Sequence, residues 1–279
     1  AACLLFGLAA ALSSGASSGA HAQPIQFLSW NLESDGADPE VVARQLGEFP
    51  KQNFYCFQEV NIRHAGRFGA AIRAVHGNGF RYLTTNTGRD DRLMIMYDTE
   101  RFDLIESREL FRHGEHSLNQ WRHRSPLVLV LKEKATGRGF NLMTVHLARG
   151  DRRFRKEQAI GLREWAASEP RPTIAIGDFN FDYDIPTGRG NASFNAFLDG
   201  GAWTWVKPDP LVDTNYDDRD GDGKDNYPAS CLDFAFTAGE GLGPARAEII
   251  VRPGDFPDDE RTPDHRPIRL IIDGLTTRR

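Results

Sequence analysis

The chain has 279 residues, 40% hydrophobic and 26% charged, with 34 Lys and Arg against 39 Asp and Glu and a formal charge of −5. That composition suits a globular protein of one large or two small domains and excludes collagenous, coiled-coil and disordered chains. The acidic balance excludes a protein that coats nucleic acid through bulk charge, though not one with a local phosphate site, and three cysteines are too few for a disulfide scaffold.

Residues 1–22 contain no Lys, Arg, Asp or Glu; an apolar run, Ala1 to Leu12, leads through small residues to Ala20-His21-Ala22. An apolar stretch ending in Ala-x-Ala describes a secretory signal peptide, here without its Met and basic start, and cleavage is expected after Ala22. The run is shorter than the roughly 20 residues that span a bilayer, which disfavours a membrane anchor. Cys3 would leave with the leader; because the apolar run follows it, a lipid-anchor reading is weak. The mature chain is expected over residues 23–279 as one domain, with two cysteines, Cys56 and Cys231, in apolar strand-like runs. Export permits a disulfide between them; two buried free thiols fit the sequence equally well.

A strand is expected over Ile25–Asn31, followed by a helix opening at Asp38-Pro39 with Val42, Leu46 and Phe49 along one side. Phe54–Val60 and Arg92–Tyr97 read as buried strands, and Pro126–Lys132 and Phe140–His146 flank a hairpin turn at Thr136-Gly137-Arg138-Gly139. Asp151–Ala167 is the clearest helix, with Phe154, Leu162 and Trp165 facing inward. Thr173–Gly177 reads as a short buried strand, and Leu232–Thr237, Ala247–Val251 and Pro267–Ile272 close the chain. No repeat or linker divides it. Strands with interleaved helices fit a helix–sheet–sheet–helix sandwich better than a doubly wound parallel sheet.

The strand ends repeatedly finish in acidic, amide or imidazole side chains: Asn31, Glu59, His146, Asp178 with Asn180, Asp233, and Asp264 with His265. One such residue after a strand is an ordinary solvated turn residue; six such strand ends in this order are hard to attribute to capping. With Gly177-Asp178-Phe179-Asn180 and Asp264-His265 as its most specific pieces, the chain resembles the endonuclease/exonuclease/phosphatase superfamily from about Ile25 to Ile272. That superfamily includes deoxyribonuclease I, exonuclease-III-type repair nucleases, secreted sphingomyelinases and inositol polyphosphate phosphatases. The resemblance implies an α+β, four-layer α/β/β/α sandwich of two packed mixed sheets with outer helices. It also implies a divalent-metal site between the upper edges of the sheets.

Magnesium (or manganese) takes oxygen ligands and keeps several waters, so Glu59, the amide oxygen of Asn31 and Asp264 would suffice as ligands. Phosphoryl transfer needs positioning and charge stabilisation more than covalent chemistry. Asp178 and Asn180, two apart on a turn, could hold the attacking water and the phosphate. His265, oriented by Asp233, could take the water's proton or stabilise developing charge, and His146 would contact the phosphate from the other side. In the deoxyribonuclease I branch an acid ahead of a central strand orients the histidine equivalent to His146; Asp91 occupies that place here, with Asp90 as the alternative.

Arg149, Arg152, Arg153, Arg155 and Lys156 follow His146 directly. They read either as a phosphate-gripping loop or as a solvated first helical turn, a mildly unfavourable place for cations. Arg124 and the Arg89–Arg92 loop are weaker candidates of the same kind. Asp218, Asp220 and Asp222 with Gly223 and Lys224 match the opening of a calcium loop, but position 12 is Ala229 rather than Glu. A calcium-binding turn bracing the Asp233 strand and an unmetallated acidic loop both fit. Gly15-Ala16-Ser17-Ser18-Gly19 matches a serine-hydrolase elbow but lies in the leader, and Trp203-Thr204-Trp205 is expected to pack beneath a loop.

The function expected from the whole is an exported, periplasmic or extracellular, metal-dependent phosphodiesterase, with nucleic acid as leading substrate and nuclease activity as leading chemistry. A phospholipid phosphodiesterase or phosphatase of the same fold is the first rival. A non-catalytic calcium- or partner-binding module is the rival from another class.

Overall fold

A computed structural model describes residues 23–34, 36–120, 123–218, 220–253 and 261–277. The expected leader lies outside the described residues.

The first half runs β1 (Ile25–Asn31), α1 (Pro39–Leu46), β2 (Phe54–Val60), α2 (Ile62–His76), β3 (Phe80–Thr84), β4 (Arg92–Asp98) and β5 (Phe102–Glu109). A small hairpin, β6 (Arg112–His113) with β7 (His116–Ser117), leads to β8 (Leu127–Glu133) and β9 (Gly139–His146). The second half is α3 (Arg152–Ser168), β10 (Thr173–Asp184), α4 (Ala192–Leu198), β11 (Thr204–Trp205), β12 (Ser230–Ala238), β13 (Ala245–Ile249) and β14 (Ile268–Ile272). Asp38 caps α1 by accepting from the Glu40 N–H with Pro39 in the first turn, and Asp151 caps α3 by accepting from Arg153 and Phe154 N–H.

Two six-stranded mixed sheets form, ordered β13-β14-β1-β2-β4-β3 and β11-β12-β10-β9-β8-β5. Alternation along each strand sorts side chains to two faces. Phe27, Phe54, Ile95, Leu129, Phe140, Leu142 and Ile174 fill the layer between the sheets. Leu28, Trp30, Tyr55, Phe57 and Met94 face outward beneath α1 and α2, while Met143, Val145, Phe179, Phe181, Phe234 and Phe236 face outward beneath α3 and α4. Both faces of the central strands are therefore covered, which is why they read as continuous apolar runs. The result is the α/β/β/α sandwich expected.

Each sheet has one parallel pair at its centre, β1 with β2 and β9 with β10; the other pairings are antiparallel. Parallel neighbours end at the same edge, so Asn31, Glu59, His146 and Asp178 emerge together. Antiparallel β12 and β14 begin at that edge, and bring Asp233 opposite Asp178 and His265 just ahead of Ile268.

Some boundaries differ from expectation. The strand expected to stop at Gly177 continues to Asp184 through a bulge between Asp178 and Tyr183. Asp178 and Asn180 thus stand on a bulged strand rather than on a turn. The last strand but one ends at Ile249, leaving Val251 exposed. Helix α2 and strands β3 and β5 are additional. The buried face of α2 is Ala65, Phe68, Gly69 and Ile72, where two small residues blur the apolar period. Cys56 and Cys231 are both buried free thiols, one in each sheet.

Candidate active site

The bulge in β10 sets the site. Gly177 is required where β10 and β9 approach: a Cβ there would lie 2.4 Å from the Val145 carbonyl oxygen. Beyond it Asn180 (φ 51°) and Asp182 (φ 43°) take left-handed backbone, as does Glu59 (φ 50°) on the matching bulge of β2 and Glu33 (φ 47°) just past β1. Each such non-glycine residue costs about 1–3 kcal/mol, and such strain gathers where side chains must be aimed. Among the described residues, four of the five non-glycine residues with positive φ lie on this edge.

Asp178, 1% exposed, is the hub. Its Oδ2 accepts from Asn31 Nδ2 at 3.2 Å and lies 3.2 Å from His146 Nε2 and 3.9 Å from His265 Nε2. Its Oδ1 accepts from the Asn180 N–H at 2.9 Å, and Asn180 Nδ2 donates to the Leu147 carbonyl at 3.1 Å. Asn31 Nδ2 also donates to Glu59 Oε1 at 3.1 Å, and that oxygen lies 3.7 Å from His146 Nε2. Across the site His265 Nδ1 is 2.8 Å from Asp233 Oδ2, and its Nε2 is 3.9 Å from Asp264 Oδ1. The structure therefore brings Asn31, Glu59, His146, Asp178, Asn180, Asp233, Asp264 and His265 into one constellation drawn from both sheets.

The charges in this cluster are divided between the imidazoles. Burial, then Arg124, His265, Arg149 and His123, drive His146 well below the ordinary histidine range, so its ring is neutral at pH 7. Burial also pulls on His265, but Asp233, Asp264 and Asp178 outweigh it and hold that ring well above the range, as an imidazolium. Burial pushes Asp178 up to about 7; Asp233 and Glu59 add to this, while His265 and the Asn180 N–H oppose it.

Asp91 stands by His146 with its Oδ1 3.8 Å from Nδ1, beyond hydrogen-bond reach, and its Oδ2 is engaged at short range by Arg124. The expected orienting pair is therefore an Arg124–Asp91 ion pair alongside the imidazole, with Arg124 itself 8% exposed. Asp90 is exposed. The cationic segment also divides. Arg155 is buried and donates to the carbonyls of Ala148 and Arg149, so it braces the loop after His146. Arg149 lies 3.5 Å from Asp217, and Arg152 and Arg153 are exposed in the first turn of α3.

Carboxylate oxygens of Asp218, Asp220 and Asp222 converge within 4.8 Å, a cluster that could hold a metal ion. Lys224 contributes no ligand side chain; its Nζ sits 3.4 Å from Asp222 Oδ2 and offsets part of that charge. Trp203 is buried, stacking on Phe197 of α4 and donating to the Leu162 carbonyl of α3 at 3.2 Å, so it packs beneath helices rather than beneath a loop.

Several supporting residues carry no sequence signal. Thr214 Oγ1 accepts from the Leu232 and Asp233 N–H groups at 2.9 and 3.2 Å, and Asn215 Nδ2 reaches Asp264 Oδ2 at 3.4 Å. Trp30 Nε1 donates to the His265 carbonyl at 2.7 Å. Gln58 links the sheets beneath the site by donating to Ser29 Oγ and Thr144 Oγ1. Thr214 and Asn215 lie in an aperiodic loop, and the Trp30 and Gln58 bonds join strands remote in sequence.

The chain matches the Endonuclease/Exonuclease/phosphatase family over residues 28–265 and belongs to that family, whose members hydrolyse phosphoric esters. Solved structures agree in fold. A family protein from Bacteroides thetaiotaomicron superposes with a TM-score of 0.68 at 17% identity, covering 92% of this chain and 99% of its own. A mannosyl-6-phosphatase from the same organism gives 0.64 at 18%, covering 89% and 99%. D. rerio TDP2 in complex with a single-strand DNA product gives 0.66 at 18%, covering 89% and 98%. No curated protein matches by sequence.

Proposed function

We propose that the chain is an exported, divalent-metal-dependent phosphodiesterase that cleaves nucleic acid by attack of water, without a covalent intermediate. The observation that carries this reading is the position of Asp178 between a neutral His146 and a cationic His265, with Asn180 donor and acceptor groups beside it. A carboxylate titrating near neutrality is matched to accepting a proton from water, and a buried imidazolium is matched to the charge that grows on the phosphate. Asn180 positions the phosphate between them.

The donor set suits a hard divalent cation. Glu59 and Asp264 offer carboxylate oxygens, and the crowding of Glu59, Asp178 and Asp233 leaves a negative centre that raises Asp178. Asn31 instead turns its Nδ2 to Glu59 and Asp178 and its Oδ1 to the Glu33 N–H, so its amide would have to turn over to become the expected ligand. When bound there, magnesium or manganese would supply Lewis-acid polarisation of a phosphate oxygen.

Arg149 and Arg152 at the start of α3 favour a polyanionic substrate. The uncharged residues 1–22, ending in Ala20-His21-Ala22, support export to the periplasm or outside the cell, tested by N-terminal sequencing of exported protein for a start at Gln23. No described helix is long and apolar enough to cross a membrane.

A panel of plasmid DNA, RNA, sphingomyelin and sugar phosphates tests the activity, with magnesium, manganese or calcium and with EDTA. Metal-dependent cleavage of nucleic acid is expected. Preference for the lipid or the sugar phosphates would replace the nuclease by a phospholipid phosphodiesterase or phosphatase of the same site, and no turnover with any metal would make the chain a binding module.

A further inference from the structure

A cavity of about 610 Å³ opens directly beside Asn180, between the first turns of α3 and α4 and the loop before β12. That volume admits a nucleotide- or sugar-sized group. The bulge that aims Asn180 into the catalytic cluster aims Asp182, two residues on, at the cavity wall. An ester whose phosphate rests on Asn180 would have this space within reach of its substituents.

The wall's acids are already partnered within the protein. Asp182 Oδ2 accepts from Arg155 at 3.3 Å and from Asn191 at 3.1 Å. Asp184 Oδ1 accepts from the Thr187 N–H and Oγ1, both at 2.7 Å. The two acids of the wall are thus satisfied within the protein. Arg155, 3% exposed, spends its guanidinium on Asp182 and on the Ala148 and Arg149 carbonyls. Arg152, which shares the wall, makes no ion pair or side-chain hydrogen bond among the described residues, and Arg149 holds only a 3.5 Å contact to Asp217. An uncommitted guanidinium beside a second, loosely held one on the wall of one cavity favours an anion. Tyr227, half exposed on the same wall, adds a flat apolar face suited to a sugar or base.

We propose that this cavity is a second-phosphate pocket: the substrate carries, next to the phosphate that is cut, a sugar-sized group with another phosphate, held by Arg152 and Arg149. This rests on the phosphoester-hydrolase reading of the Asp178 site and adds to it a requirement for at least two phosphates. The neighbouring phosphate of a nucleic acid and the second phosphate of a sugar bisphosphate offer the same chemistry.

The test is calorimetric binding in EDTA, where no turnover interferes. Thymidine 3′,5′-bisphosphate is compared with thymidine 5′-monophosphate, and fructose 1,6-bisphosphate with fructose 6-phosphate. In at least one pair the second phosphate is expected to tighten binding about tenfold or more. Arg152→Ala is expected to bring that ratio close to one, and Arg152→Lys to recover part of it. A gain confined to the nucleotide pair identifies a nucleic-acid source, and one confined to the sugar pair a phosphorylated sugar. Ratios near one in both pairs, or a ratio that survives in the Arg149→Ala/Arg152→Ala double variant, overturn the pocket. Cleavage of DNA is read separately in the substrate panel, so loss of the nuclease reading and loss of the pocket give different results.

Discussion

Nδ1 of His265 stands 2.8 Å from Oδ2 of Asp233, although the acid belongs to β12 in one sheet and the imidazole to the segment entering β14 in the other. The pair ties the sheets together at the active edge. It also fixes the ring: Nδ1 faces the acid, so Nε2 is turned toward Asp178 and Asp264. The backbone on both sides is held, with Thr214 Oγ1 accepting from the Asp233 N–H and Trp30 Nε1 donating to the His265 carbonyl.

Asp233→Asn keeps the shape of this pair and removes its charge. The carboxylate raises the His265 pKa, so its loss lowers it and the imidazolium deprotonates at a lower pH. The alkaline limb of the kcat profile is expected to move to lower pH, with kcat at neutral pH reduced about 100-fold or more. Profiles from pH 5 to 10 with magnesium check this; an unmoved limb would show that His265 does not act as a cation.

Gly177→Ala tests the close approach of the central strands. The added Cβ meets the Val145 backbone, which cannot move without parting β9 from β10. A loss of about 1–3 kcal/mol is expected, seen as a Tm lower by several degrees, together with a disproportionate loss of activity as Asp178 shifts. Gly150→Ala has no neighbour within 4 Å of its Cβ and serves as the control with unchanged Tm.

The strand ends were legible because long apolar runs bracket them: Ile25–Asn31 and Phe54–Val60 are found with the bounds expected. Those strand ends, together with the resemblance carried by Gly177-Asp178-Phe179-Asn180 and Asp264-His265, name eight residues of one site. The local form of the site was not legible. Asn180 and Asp182 adopt left-handed backbone inside a strand, and neither residue type marks a bulge against a turn. Arg124 and Asp91 each looked like an auxiliary to a different partner, and only the fold shows that they neutralise one another. Arg155 reads in sequence as either a phosphate-gripping or a solvated cation, yet the loop after His146 closes over it and takes its donors.

Arg124→Ala probes that ion pair through His146. After burial, the guanidinium is the first of the charges that depress this imidazole, so removing it is expected to raise the His146 pKa. NMR titration of the ring in metal-free protein reads the change directly. Arg124→Lys keeps the charge without the guanidinium's shape and is expected to hold His146 low. Equal titration curves for wild type and Arg124→Ala would remove Arg124 from the electrostatics of the site.

Asp178→Asn separates function from stability. The Asp178 pKa is raised from an ordinary 3.8 to about 7, first by burial and then by Asp233 and Glu59. A folded pKa above the unfolded one means the native state holds its proton more tightly. The stability associated with this group is therefore full below about pH 4, falls as pH rises, and is lost once pH passes about 7. Asn cannot ionise and escapes that loss. In EDTA at pH 8 the variant is expected to be more stable by on the order of 2–4 kcal/mol, a Tm rise of roughly 5–10 °C, while at pH 4 the two proteins should melt together. Its hydrolytic activity is expected to fall at least about 100-fold, because the acceptor for the water's proton is gone. A residue whose removal stabilises the fold and abolishes turnover is kept for chemistry. A variant less stable at pH 8 than wild type would instead make Asp178 a structural anchor between Asn31 and His146.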